Sequence, residues 1–170
     1  FHYDVLPYYQ MHGAMNEGFA DYFAASLTND HRHGFYRGGP DGSEYRDLDN
    51  SRVYPDDYYM GLADNGGVHL NASIFSGTLW DLREGLGQEI TDDLILRAIE
   101  LNASNPLEGI SFFSFCGDLI RADDMFYGDS DLSNGSPNHD AICSACGAHG
   151  IITSLCNLCE PGEPDDDGDG

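Results

Sequence analysis

Lysine is absent from this sequence. All seven basic residues are arginines, set against thirty Asp and Glu, for a formal charge of −23. So acidic a chain repels a phosphate backbone, and nucleic acid is not an expected partner. An anionic membrane surface is disfavoured for the same reason. Long apolar runs are missing too. None reaches the length needed to span a bilayer, and none reads as a signal peptide. The first residue is Phe1 rather than Met, so translation is expected to start elsewhere. There is no convincing alternation of apolar and polar residues, the mark of a half-buried strand.

What is present is enough for one domain with a core: 170 residues, 41% of them hydrophobic. The self-repulsion of the charge is relieved by salt or bound cations. A secreted or salt-rich setting with calcium as a stabiliser is one expectation, and an ordinary solvated acidic surface is the other.

Helical spacing dominates. Met15, Phe19, Tyr22 and Phe23 place a helix over about Gln10 to Leu27. A Gly-, Asp- and Arg-rich loop follows to about Asn50. A second helix is expected from Val68 to about Glu84, burying Ala72, Phe75, Leu79 and Leu82, with Gly85 as its stop. Thr91 reads as the cap of a third, a fourth covers Gly109 to Ala122, and a short one covers Asp140 to His149. A loop from Asp123 to Asn138 separates the last two. From Glu160 onward only Pro, Gly, Glu and Asp occur, which reads as a linker.

Two constellations carry chemistry. In Asn16-Glu17-Gly18-Phe19-Ala20-Asp21, the two carboxylates stand four apart and share one helix face. On a helix rich in Phe, Tyr and Met, a metal or a buried His would offset the cost of burying them. A solvent-facing acidic pair is the plainer reading. In Asp64-Asn65-Gly66-Gly67-Val68-His69, paired glycines permit a sharp entry that aims His69 from the first helical turn. Asp64 could hold that imidazole protonated. An ordinary loop before a helix is the alternative.

In this order, with Arg46 between them in a Tyr/Asp-rich loop, the two resemble the thermolysin-like and fungalysin-like zinc peptidases. The likeness is close from about Tyr8 to Glu84 and looser to about Ile151. The resemblance implies that residues 1–152 are the mainly α, C-terminal helical lobe of such a catalytic domain, with long acidic loops. Residues 153–170 would be a Cys-containing segment and acidic linker. It further implies that Glu17 is a zinc ligand and that Asp21 is the carboxylate orienting a ligand His. Arg46 would bind a substrate carbonyl. His69, partnered by Asp64, would stabilise the oxyanion, and Tyr8 or Tyr9 would assist. The family cuts peptide bonds of peptide or protein substrates with zinc-activated water.

The family's His-Glu-x-x-His, about twenty residues before the Glu ligand, is absent. It is expected in an upstream segment of the same precursor, and the 170-residue chain alone is expected to be inactive. The alternative is a non-catalytic structural or interaction protein built on this lobe.

There are five cysteines. Cys143, Cys146, Cys156 and Cys159 form two Cys-x-x-Cys pairs, which fits disulfides in a secreted chain or a small structural zinc site. Cys116 reads as a buried free thiol. Asp165, Asp167 and Asp169, with glycines between and after, begin like a calcium loop or form an acidic linker. Asp129, Asp131 and Ser133 are a weaker calcium candidate. Asn71, Asn102 and Asn134 lie in glycosylation sequons, Asn71 too close to His69 to be accessible.

Overall fold

The computed structural model describes residues 10–33, 46–61, 64–103 and 110–157. Among the described residues five α-helices run in order: α1 (Gln10–Thr28), α2 (Asp64–Leu86), α3 (Gln88–Ala103), α4 (Phe112–Tyr127) and α5 (His139–Ala148). Between α1 and α2 lies a minimal antiparallel pair, β1 (Arg32–His33) and β2 (Arg46–Asp47), which matches Arg32 with Asp47 and His33 with Arg46. The mainly α expectation holds. The strand pair escapes detection because two residues cannot display a period of two.

α2 is the central helix. Every residue from Asn71 to Trp80 is buried, so it is enclosed on all sides rather than along one stripe. The expected Ala72, Phe75, Leu79 and Leu82 are all in the core. α1 crosses it closely at Gly18. A Cβ there would stand 2.8 Å from Phe75 Cδ1 and 3.2 Å from the Ala72 carbonyl oxygen. Phe19 of α1 then meets Phe75 of α2 and Phe115 of α4 edge-to-face, each at 5.0 Å between centroids, while Phe75 and Phe112 stack at 5.3 Å. Such ring pairs add specific geometry to the area they bury.

The break between α2 and α3 is Gly87, at φ +84°. Its N–H bonds the Arg83 carbonyl at 2.8 Å, closing α2 with a left-handed residue that Gly adopts without penalty. Gly85 therefore stays helical and is not the stop. Thr91 is likewise not a cap, because α3 starts at Gln88 and the Thr91 N–H already bonds the Gly87 carbonyl. Its buried hydroxyl instead faces the Leu82 carbonyl. α3 is tied to α1 by Asp92, which accepts from the Tyr22 hydroxyl at 2.7 Å and from Ser26 at 2.8 Å. Burial, with Asp92 beside it, pushes the Tyr22 hydroxyl far above its usual pKa. Ser111 caps α4 in a reciprocal box with Ser114. α4 runs on through Asp123 to Tyr127, beyond its expected end.

Two disulfides fasten the last part of the fold. Cys116 of α4 pairs with Cys146 of α5, and Cys143 of α5 pairs with Cys156. Cys116 is buried, but it is not a free thiol. The four-cysteine zinc site does not form among the described residues, because Cys143, Cys146 and Cys156 have no thiolates left to offer. Cys159, Asp165, Asp167, Asp169 and the whole tail from Glu160 lie outside the described residues.

Candidate functional site

The crossing of α1 and α2 places Glu17 and Asp21 beside His69, with Arg46 reaching in from β2. The Glu17 Oε2 is 3.1 Å from His69 Nδ1. Arg46 Nη1 lies 3.2 Å from the same nitrogen, and Arg46 Nη2 donates to Asp21 Oδ1 at 2.8 Å. The inner pair is the drier one: side-chain exposure is 2% for Asp21 and 13% for Arg46, against 23% for Glu17 and 38% for His69. Asp21 therefore fixes the guanidinium from below while Glu17 and His69 face outward.

One nitrogen cannot serve both neighbours at once. His69 Nδ1 accepts from Arg46 only if it carries no proton, and donates to Glu17 only if it does. Glu17 and Arg46 thus compete for the imidazole. Anything that engages Glu17 elsewhere leaves His69 Nδ1 to accept from Arg46.

Arg46 is aimed by its strand. Its neighbour Asp47 accepts from His31 Nδ1 at 2.6 Å, and the Leu48 N–H bonds the His31 carbonyl at 2.9 Å. The hydrogen bond to the Asp47 carboxylate holds the His31 pKa above its ordinary value despite partial desolvation. The segment 52–61 is strapped along the first half of α2. Arg52 Nη1 donates to the Leu70 carbonyl at 3.1 Å, and the fully buried Asn71 grips the main chain of Tyr59. Neither His31 nor Asn71 stands out as a site residue in the sequence. Both are recognisable only from what lies next to Arg46 and His69 in space.

Of the residues singled out from sequence, Glu17, Asp21, Arg46 and His69 come together. Asp64 is the first residue of α2, so His69 sits in the second helical turn and not the first. Gly67 provides a local turn within that entry, at φ +78°. The side chain of Asp64 lies outside what is described, as do Tyr8 and Tyr9. Among the described residues no group of three or more His, Cys, Asp or Glu converges to hold a metal ion. A catalytic zinc takes three protein ligands. The described residues fit one corner of such a site, the outward carboxylate of Glu17, and do not complete it.

These features define a class. Residues 5–145 match the thermolysin metallopeptidase α-helical domain, and the chain belongs to that family. Bacillolysin of Brevibacillus brevis is 38% identical to it over 88 residues, which is 47% of this chain and 17% of bacillolysin. The chain thus spans about a sixth of the length of that curated relative. No helix among the described residues is long and apolar enough to cross a membrane.

Proposed function

We propose that this chain is the helical lobe of a secreted zinc endopeptidase and supplies three parts of its active site. Glu17 is one zinc ligand. The other two belong to a His-Glu-x-x-His segment upstream in the same precursor. When bound, the zinc supplies Lewis-acid polarisation of the substrate carbonyl and activation of water. The chain's own residues do the rest. Arg46, held by Asp21, presents a planar, permanently charged donor to a substrate carbonyl. His69, no longer shared with Glu17 once that carboxylate is a ligand, donates to the oxygen on which charge develops. Substrates are peptides or proteins, in keeping with the metallopeptidase family to which the lobe belongs.

The observation that carries this reading is the approach of Glu17 and Arg46 to the same His69 nitrogen, at 3.1 and 3.2 Å, across α1, β2 and α2. The test is the precursor with its upstream segment. It should bind one catalytic zinc and cleave peptides, whereas Glu17→Gln should lose both and the 170-residue chain alone should be inactive. A Glu17→Gln precursor with undiminished zinc content and activity would overturn the assignment. A zinc-loaded precursor that cleaves no peptide would favour an interaction role for the lobe.

A further inference from the structure

Two residues after His69, the Asn71 side chain is completely buried, and it is fully engaged. Its Oδ1 accepts from the Tyr59 N–H at 2.7 Å, and its Nδ2 donates to the Tyr59 carbonyl at 3.0 Å. An amide meets both main-chain groups of one residue as a neighbouring strand would, and no other side chain of this size except an amide carries the donor and acceptor together. The gripped residue reaches back toward the site: the Tyr59 ring packs against Gly67, where an added Cβ would stand 2.5 Å from Tyr59 Cδ1. Gly67 has the positive φ of the helix entry and lies two residues before His69. Asn71, Tyr59 and Gly67 therefore close a ring of contacts around the turn of α2 that carries His69. The Arg52 bonds to the carbonyls of Leu70 and Asp57 brace the same turn.

We infer that Asn71 is a positioning residue for His69, acting through the Tyr59 main chain and the Tyr59 ring on Gly67. This rests on the peptidase reading for its effect on catalysis, but not for its effect on His69 itself. Loosening the ring lets the first turns of α2 shift by a fraction of an ångström to an ångström. A misplacement of that size lowers the chemical step far more than it lowers substrate binding.

Asn71→Asp removes the donor to the Tyr59 carbonyl at almost constant volume. Tyr59→Ala leaves the clamp in place and removes only the partly exposed ring, so it is expected to fold even where the first variant does not. In the 170-residue chain labelled with ¹⁵N-histidine, the His69 ring signals, assigned by their loss in His69→Gln, should shift in each folded variant. In the zinc-loaded precursor, kcat should fall by about tenfold to a hundredfold, with KM within about twofold and zinc content unchanged. Unchanged His69 signals in a folded variant overturn the inference, as does a purely thermal loss of stability with wild-type kcat. If the precursor proves inactive while the His69 signals still move, the positioning role stands and the peptidase reading falls.

Discussion

The Arg46–Asp21 pair offers a test that needs neither zinc nor substrate. Replacing Arg46 by Met keeps the aliphatic stem and removes the guanidinium, leaving the Asp21 carboxylate buried at 2% exposure without the donor 2.8 Å away. Removing one partner of a buried ion pair costs about 3–5 kcal/mol, because the remaining charge stays out of water with its guanidinium partner gone. In a domain of this size 1 kcal/mol moves Tm by roughly 2–4 °C, so the expected drop is on the order of 6–20 °C. Urea is the right denaturant, since a guanidinium salt would screen the charges being measured. The double variant Arg46→Met/Asp21→Leu removes both charges and should recover most of the loss, as replacing a buried pair with apolar residues is often neutral. If Arg46→Met costs less than about 1 kcal/mol, the pair is solvated in solution. If the double variant is no better than the single, the loss comes from packing and not from the donor taken from the buried carboxylate.

Three further outcomes follow from the same geometry. Gly18→Ala must push against a main-chain oxygen of α2 as well as the Phe75 ring, and overpacking of this kind costs about 1–3 kcal/mol in urea unfolding. The two disulfides should make the unreduced chain lighter by four hydrogens, with peptide mapping joining Cys116 to Cys146 and Cys143 to Cys156. Loop entropy assigns them roughly 3.5 and about 3 kcal/mol in turn, so Cys116→Ser should cost slightly more than Cys156→Ser. Because the folded pKa of His31 is raised, its contribution is complete below about pH 6.5 and is lost as pH rises through the folded value. The pair is more than a third exposed, so that loss should stay under about 1 kcal/mol. It should vanish in Asp47→Asn, and an NMR titration placing His31 at or below 6.5 would contradict it.

The helices were legible where one face is apolar and obscure where none or all are. Met15, Phe19, Tyr22 and Phe23 mark α1 because its outer face is more exposed. α2 is buried all round, so its stripe of four understates it, and its start at Asp64 is hidden by two glycines that read as loop. Gly85 and Gly87 are the same residue type two positions apart. Only the backbone shows which of them takes positive φ. The cysteine pairing was misleading for a related reason. The repeated Cys-x-x-Cys suggests one cluster, but Cys143 and Cys146 on α5 turn to different partners, and Cys116 on α4 is brought to α5 by helix packing that no local pattern announces. In the site, Glu17 and Asp21 are readable as a pair from helical spacing. Their meeting with Arg46 and His69 is long-range, and composition carries no trace of it. The family resemblance suggested those residues, whereas the contacts with Asn71 and His31 had to be seen.

Gly18 connects the fold to the site. It directly follows Glu17 along α1, and the atoms it touches belong to Ala72 and Phe75, the first of them one turn beyond His69 on α2. Successive helical residues rise 1.5 Å, so the tight contact at Gly18 and the Glu17–His69 contact lie within about one turn of each other. The spacing of α1 and α2 at that point is set by the absence of a single side chain. A methyl group at position 18 would widen the crossing and would, by the same movement, stretch the 3.1 Å separation between Glu17 and His69. A carboxylate and an imidazole held on two rigid helices keep their distance through packing, not through their own attraction, which is modest at these exposures. The core in this chain is therefore what sets the distance between Glu17 and His69. The Glu17–His69 separation thus reports whether the glycine contact beneath it stays closed.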